Sequence, residues 1–230
     1  MPEPRPDEPA VVSYRELRII VGALGVLLPA VLVTWGGLLD PPVLLPTLSE
    51  YYTVRPPGDF FVGVLFAISS FLFAYGGYDL HDRIAGKTAS VSALGVALCP
   101  VSGGSVLVVL HYIFAGVFFT VLAVFALFLF TQTHEDGRLT RSKENRNVVY
   151  RICGGTILLC LVGIGILKIG GVRGEIAGLP AVLVLESLAL LAFAVSWFVK
   201  AELVLGDLPR EAPRERGGPR MFVDTARLAT

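Results

Sequence analysis

Charged residues are scarce in this chain of 230 residues, because Lys, Arg, Asp and Glu together make up only 17% of it. The 19 basic and 19 acidic residues cancel, and no basic patch with interleaved aromatic residues occurs. A chain of this kind lacks the electrostatic footprint of a nucleic-acid-binding protein. We therefore expect no nucleic-acid partner.

Metal-ligating residues are also few. The sequence has only three histidines, His81, His111 and His134, and they fall at different depths of the predicted helices. No HExxH or CxxC motif is present, and these spacings are the ones that bring ligands together around zinc. The sequence therefore predicts neither a metal site nor a bound cofactor.

What the chain has in abundance is apolar residues, at 54% of the sequence. A helix needs about 20 apolar residues to cross a hydrocarbon layer of about 30 Å. Six runs approach or exceed this length, at approximately 16–38, 59–79, 84–102, 104–131, 148–170 and 178–204. The sequence thus predicts an all-α, polytopic transmembrane bundle of six transmembrane helices.

The basic residues are distributed unevenly between the two sides of such a bundle. Sixteen of the 19 Lys and Arg residues fall on the side that carries both termini, and the other side has Arg55, Lys168 and Arg173. Basic residues are retained on the cytoplasmic side of a membrane. The sequence therefore predicts that both termini are cytoplasmic. Its Ala, Val, Gly, Arg and Pro usage favours a high-GC bacterium, and hence a bacterial plasma membrane.

Three regions follow from the same pattern. Residues 1–15 are acidic and rich in proline, which predicts a disordered leader. Residues 16–204 form the six-helix transmembrane domain. Residues 205–230 carry proline, glycine and charge without an apolar period, which predicts a flexible cytoplasmic tail.

Two ionisable residues lie deep within apolar runs, His111 in VVLHYIFAG and Glu186 in AVLVLESLALLAF. Burying such a group costs roughly 2.5–3.5 kcal/mol, so each is a candidate functional residue. At a rise of about 1.5 Å per residue, both lie about 10–12 Å below the outer surface. A fold-back of the segment TLSEYYTVRPPGDFF would bring Glu50 over them. The predicted pocket comprises Ser49, Glu50, Tyr51, Tyr52, His111 and Glu186. The alternative is that His111 and Glu186 only bridge two helices and that Glu50 is solvated.

A second polar group lies at the predicted cytoplasmic edge. It contains tyrosines and charges of both signs, which is typical of interfacial anchors and ion pairs. We interpret it as structural, with a functional site as the less favoured alternative. Its members are Tyr75, Tyr78, Asp79, Asp82, Arg146, Arg151 and Lys200.

These motifs, taken in order, resemble the DRAM, Frag and Sfk group of six-span membrane proteins, which includes autophagy modulators and factors that remodel GPI anchors. The outer loop LSEYYTVRPPGDFF, the run HYIFAGVFF in the fourth span and the glutamate of the last span carry the resemblance. It implies a six-span fold over about residues 16–204 and assigns functional weight to Glu50, His111 and Glu186. Two departures occur, Tyr52 in place of a small residue and Pro57 in place of a carboxylate. The matching positions are Ser49, Glu50, Thr53, Pro56, Phe61, His111, Gln132, Thr133 and Glu186.

The leading hypothesis is a non-catalytic protein whose outer-leaflet pocket binds or senses a lipid or glycolipid. Its partners are then membrane lipids and, as a further option, other membrane proteins. A lipid-remodelling enzyme is the first alternative, with His111 as general base, a glutamate that orients it, and Ser49 or Ser187 as nucleophile, although no GxSxG motif is present. A small transporter is the second alternative.

Overall fold

The fold is given by a computed structural model that describes residues 13–77, 79–102, 104–132 and 141–204. Six long helices follow one another in these ranges: α1 (Tyr14–Leu38), α2 (Pro57–Ala74), α3 (Leu80–Leu98), α4 (Ser105–Val124), α5 (Arg141–Ile169) and α6 (Ala181–Lys200). The shorter elements are a 3₁₀ helix at Ser49–Thr53, a π-helical continuation of α4 at Phe125–Leu129, and a hairpin of β1 (Glu175–Ile176) and β2 (Leu179–Pro180).

Local sequence signals explain where the first and third helices begin. The Ser13 hydroxyl accepts the Glu16 N–H at 3.2 Å, while the Glu16 carboxylate accepts the Ser13 N–H at 2.8 Å. This reciprocal capping box satisfies two backbone donors that a helix start leaves unpaired, so α1 begins two residues before the predicted span. At α3, the Asp79 carboxylate accepts the Asp82 N–H at 2.9 Å. That bond holds the pKa of Asp79 below its ordinary value.

Five of the six helices in the described part of the chain are long and apolar enough to cross a membrane. They are α1, α2, α4 with its π-helical continuation, α5 and α6. The exception is α3, which has 19 residues but contains His81, Asp82, Arg83 and Lys87 in its first turns. The predicted all-α, membrane-type architecture is therefore confirmed. The sixth span and the side on which the termini lie stay predictions.

The helices form a closed ring in chain order. Each one packs against the next along the chain, and α6 packs back against α1. Fully buried side chains such as Leu32, Ile68, Leu122 and Trp197 fill the interior. We call the end of the bundle where α1 and α3 finish and α4 and α6 start the outer end, and the opposite end the inner end.

Residues 39–56, here called the outer segment, fold over the outer end. At Gly36 in α1, an added Cβ would lie 2.5 Å from the Val43 carbonyl oxygen and 2.7 Å from the Tyr51 ring. Only a residue without a side chain lets the segment approach α1 so closely. The Tyr51 side chain is fully buried at this contact. The outer segment is therefore a packed part of the fold.

Several predictions concern residues outside the described ranges. Most of the predicted leader, the whole of the predicted tail at 205–230, Tyr78, Thr133 and His134 belong to this group.

Candidate functional site

His111 lies two turns into α4 and only 2% of its surface is exposed. Its Nδ1 atom is 2.6 Å from the carbonyl oxygen of Cys99, the residue that ends α3. A carbonyl oxygen can only accept a hydrogen bond, so Nδ1 carries the proton and donates it. In the neutral imidazole this leaves Nε2 with a free lone pair.

The Ser49 hydroxyl forms a hydrogen bond with that lone pair. Its Oγ atom is 3.0 Å from His111 Nε2, so the serine hydroxyl donates and the imidazole accepts. Ser49 is the first residue of the 3₁₀ helix in the outer segment, more than 60 positions away along the chain. A hydroxyl that donates to an imidazole held by a third group is the arrangement of a nucleophile and its general base.

Glu186 binds Leu48, the residue that precedes Ser49 in the outer segment. One of its carboxylate oxygens accepts the backbone N–H of Leu48 at 2.6 Å. Within the described residues no hydrogen bond joins His111 and Glu186 directly. Instead, Ser49 binds His111 and the neighbouring Leu48 binds Glu186. The outer segment thereby connects α4 with α6.

A cavity of about 410 Å³ opens beside this junction, between α4 and α5. The polar lining residues lie towards the outer end, where Val101 and Ile169 also lie, and the deeper lining is apolar. The polar lining consists of Thr47, Ser49, His111, Tyr112, Lys168 and Glu186, and the apolar lining of Val101, Ala115, Gly116, Phe119, Leu161, Ile164, Gly165 and Ile169. A smaller cavity of about 40 Å³ continues from Ser49 and Glu186 towards Leu28 and Phe61.

Lys168 is a lining residue that the sequence analysis did not select. It lies near the end of α5, with its Nζ atom 3.5 Å from the Tyr112 hydroxyl and 5.5 Å from the centre of that ring. Lysines near the ends of membrane helices are ordinary interfacial residues. The sequence alone therefore carries no signal that distinguishes Lys168 from an anchor.

Glu50 does not line the cavity that His111 and Glu186 line, although it interacts electrostatically with Glu186. It lines a neighbouring cavity of about 460 Å³ together with Arg173 and Glu175, and that cavity shares Thr47 and Lys168 with the first one. The fold-back of the outer segment thus brings the three predicted residues to one end of the bundle. It puts Glu50 on the other side of Thr47 and Lys168.

Neither predicted tyrosine lines the cavity between α4 and α5. Tyr51 is in the core, where its hydroxyl is 3.4 Å from the Val43 carbonyl oxygen and 3.5 Å from the Leu45 nitrogen. Burial raises the pKa of Tyr51 above its ordinary value. Tyr52 is partly buried against the same core. Both residues hold the outer segment in place by packing.

The inner end contains most of the second predicted group. Tyr75 is buried and its ring lies 5.2 Å from that of Trp197, while Asp82 is also buried. Arg146 and Lys200 line a cavity of about 120 Å³ together with Arg18, which the sequence analysis did not select. Arg151 is exposed and does not line that cavity.

No protein-family model, curated protein or solved structure matches this chain. The resemblance to the DRAM, Frag and Sfk group therefore stays a prediction drawn from its residues. Among the described residues, no group of three or more His, Cys, Asp and Glu side chains is arranged to hold a metal ion.

Proposed function

We propose that this chain is a multi-pass membrane protein that binds the head group of a lipid or glycolipid in the cavity between α4 and α5. The observation that carries the proposal is the lining of that cavity, which combines polar side chains near the outer end with apolar side chains deeper in the bundle. An amphiphilic ligand fits this lining best, because an apolar molecule would leave the Lys168 ammonium group and the Glu186 carboxyl group, which make one hydrogen bond each within the described residues, only partly satisfied. Lipids have this character.

The lining suggests which head groups fit. The ammonium group of Lys168 would pair with an anionic head group, and the Glu186 carboxylate and the Thr47 hydroxyl would bind sugar or glycerol hydroxyls. Leu161 and Ile164 lie one to two turns below Lys168 on α5, about 6–10 Å deeper at the usual helical rise. An acyl chain would extend along them.

The proposal includes a membrane topology. The chain has six spans with both termini in the cytoplasm of a bacterium, and the cavity faces the outer leaflet. The length of α3 supports this, since its 19 residues rise about 28 Å, close to the hydrocarbon thickness. Its position in the ring between α2 and α4 supports it as well.

Filling the cavity tests the proposal. Gly165 in α5 lines the cavity, and a Cβ at this position meets no other atom within 4 Å. The change Gly165→Leu should therefore place its side chain in the cavity with no clash at Cβ and reduce lipid co-purification about tenfold or more, a loss of roughly 1.4 kcal/mol or more of binding free energy. Mass spectrometry of lipids extracted from the purified protein gives the measurement.

Gly155→Leu is the matched control, because Gly155 lies on the same helix, meets nothing within 4 Å and does not line the cavity. A second pair tests the polar end, with Glu186→Gln as the change and Ser187→Ala as its neighbour outside the lining. Equal lipid content in Gly165→Leu and Gly155→Leu would refute binding in this cavity.

A second candidate function is acyl transfer from a lipid, and the bond between Ser49 and His111 favours it. His111 Nδ1 is fixed by the Cys99 carbonyl, and Nε2 is 3.0 Å from the Ser49 oxygen. This pair lines the same cavity, so a bound ester would lie beside a hydroxyl that already donates to a base. The geometry meets the requirement for general-base activation of a nucleophile.

The reaction would proceed in two steps, acylation of Ser49 and then deacylation. Ser49 Oγ attacks the ester carbonyl while His111 Nε2 takes its proton, and collapse of the tetrahedral intermediate breaks the ester bond. The imidazolium returns the proton to the departing alcohol, which leaves an acyl group on Ser49. Water, or the hydroxyl of a second lipid, then attacks this acyl-enzyme while His111 Nε2 takes its proton, the bond between the acyl group and Ser49 Oγ breaks, and the imidazolium returns the proton to Oγ.

A serine-directed fluorophosphonate tests this activity. If the pair is catalytic, the probe should label Ser49 in the wild type, and Ser49→Ala should lose labelling while it keeps bound lipid. Ser187→Ala, whose hydroxyl donates to the Leu183 carbonyl at 2.7 Å, should label like the wild type. Absence of labelling in a folded, lipid-bound wild-type protein would leave binding as the function and remove catalysis.

A further inference from the structure

A second cavity at the outer end adjoins the cavity between α4 and α5. It measures about 460 Å³ and lies between the outer segment, the end of α5, the start of α6 and the residues 171–175 that follow α5. We call it the loop cavity. Thr47 and Lys168 line both cavities. A lipid whose acyl chain occupies the first cavity can therefore extend its head group into the loop cavity.

Charges of both signs line the loop cavity in equal number. Its basic residues are Lys168 and Arg173, and its acidic residues are Glu50 and Glu175. Within the described ranges, no ion pair joins any of these four side chains to another charged group. The Lys168 ammonium group makes one hydrogen bond there, to the Tyr112 hydroxyl at 3.5 Å. A ligand with one positive and one negative group can thus pair with both sets of charges.

The basic residues lie where the phosphate of a lipid would enter the loop cavity. Lys168 is at the boundary of the two cavities, about 10 Å along α5 from Leu161 in the apolar lining. The first polar group after an acyl chain therefore comes next to its ammonium group. Arg173 lines the loop cavity, as does the start of α6 at Ala181 and Val182. Guanidinium and ammonium groups bind phosphate oxygens strongly, and the positive end of a helix adds to this attraction.

The two carboxylates belong to the loop cavity alone. Glu50 and Glu175 line it and do not line the cavity between α4 and α5. They repel a second anionic group and attract an ammonium group. A primary ammonium offers three N–H donors to carboxylate oxygens. A quaternary ammonium offers none and is bound by aromatic rings, and none of the described residues that line the loop cavity is aromatic.

We infer that the loop cavity binds the phosphoethanolamine head group of a lipid, as in phosphatidylethanolamine. The inference rests on the proposed function and specifies the head group of the lipid. Lys168 and Arg173 bind the phosphate, and Glu50 and Glu175 bind the ammonium group. A glycerol head group would leave both carboxylates without a cation, and a choline head group would give them no N–H donor.

A competition between lipids tests the inference. The full chain is reconstituted in nanodiscs with equal amounts of phosphatidylethanolamine, phosphatidylcholine, phosphatidylglycerol and monoglucosyl diacylglycerol, all with the same acyl chains. It is then recovered in detergent, and mass spectrometry quantifies the lipids that it retains. The amount retained by the wild type in excess of Gly165→Leu is the lipid bound in the cavity. In this fraction phosphatidylethanolamine should exceed each other lipid about fivefold, the upper range for one exposed ion pair.

Two variants remove the acidic side chains one at a time. Glu50→Gln and Glu175→Gln should each lower the ratio of retained phosphatidylethanolamine to phosphatidylglycerol about two- to fivefold, with no loss of phosphatidylglycerol. Asp40→Asn is the matched control, because Asp40 is an exposed carboxylate of the same outer segment and does not line the loop cavity. Its ratio should equal that of the wild type.

A third variant tests the phosphate contact. Arg173→Gln should lower the retained amounts of phosphatidylethanolamine and phosphatidylglycerol by the same factor, about two- to fivefold, because both lipids carry the phosphate. Arg55→Gln is the control. Arg55 lies at the same end, forms an exposed ion pair with Asp59 and does not line the loop cavity.

Glycerophosphoethanolamine, which has the same head group without acyl chains, separates a lipid from a soluble ligand. At a concentration equal to that of the lipid it should leave phosphatidylethanolamine bound. Displacement would overturn the assignment to a lipid, since it would show that the head group alone supplies the affinity.

Two further results would overturn the inference and leave lipid binding in place. One is equal or preferential retention of phosphatidylglycerol, phosphatidylcholine or the glucolipid in the cavity fraction. The other is a lipid ratio that is the same in Glu50→Gln, Glu175→Gln and Asp40→Asn. Failure of the proposed function is a different observation, because Gly165→Leu and Gly155→Leu would then retain equal amounts of every lipid.

Discussion

At the scale of single residues, the cost of burial identified the important polar groups, and geometry assigned their partners. His111 and Glu186 were selected because an ionisable group inside an apolar run needs a reason to be there. Their partners, the Cys99 carbonyl, Ser49 and the Leu48 N–H, are separated from them along the chain. No local pattern encodes such bonds, so only the fold could reveal them.

Tyr51 gives a residue-scale prediction about pH. Burial raises its pKa above the ordinary value of 10.0, so the folded state favours the neutral phenol. The stability from this group is therefore fully present below about pH 10 and is lost as the pH rises through the raised pKa. Tyr51→Phe should lose less thermal stability than the wild type between about pH 9 and pH 11.

At neutral pH the same change should cost little, about 0.5–1 kcal/mol, because both hydrogen bonds of the Tyr51 hydroxyl are long at 3.4 and 3.5 Å. Thermal unfolding in detergent, followed by circular dichroism, gives both values. Parallel alkaline losses in the two proteins would contradict the prediction.

At the scale of elements, close helix contacts decide where the site residues lie. Gly95 in α3 faces the ring of Phe114 in α4, and an added Cβ would overlap that ring. Phe114 is three residues, about one turn, from His111 on α4. The contact therefore sets the distance between the end of α3, which supplies the Cys99 carbonyl, and the imidazole that binds it.

Gly95→Ala should accordingly push α3 and α4 apart. Overpacking of this kind costs about 1–3 kcal/mol, and we expect the melting temperature to fall together with fluorophosphonate labelling or lipid retention. Gly63→Ala is the matched control, because a Cβ at Gly63 in α2 meets nothing within 4 Å. An equal effect of the two changes would show that the contact with Phe114 does not position the site.

At the scale of the whole molecule, the ring of six helices raises the question of how many cross the membrane. Five of the six helices in the described ranges qualify by length and hydropathy, while α3 carries charged residues in its first turns. Those residues lie at the inner end, where the interfacial side chains of the other helices also lie. A helix with charge at one end can still span, because long basic side chains reach the interface.

Reporter fusions test this topology. If α3 spans, green fluorescent protein fused to either terminus should fluoresce in the cytoplasm, and alkaline phosphatase inserted at Ala177 should be active. Ala177 is exposed in the turn between β1 and β2, at the outer end. Five spans would instead put the two termini on opposite sides of the membrane, so one of the two terminal fusions would not fluoresce.

The sequence by itself determined the class of protein and most of the helix positions. Transfer of an apolar run from water to lipid depends on the run alone, so hydropathy reports it directly. The predicted boundaries differ most at α5, which begins at Arg141 and not at 148 because its first turns are helical but charged. Smaller differences occur where caps and turns decide, as at Ser13 and after Ala74. The same cost argument identified His111 and Glu186.

Only the tertiary structure decided which polar side chains share a cavity. It put Glu50 in a different cavity from His111 and Glu186, buried Tyr51 in the core, and brought Lys168 into the lining of both cavities. At the inner end it grouped four basic side chains of α1, α5 and α6 around another cavity. Hydropathy is a sum over neighbours in the sequence. A binding site depends instead on the relative orientation of helices that are far apart in the sequence.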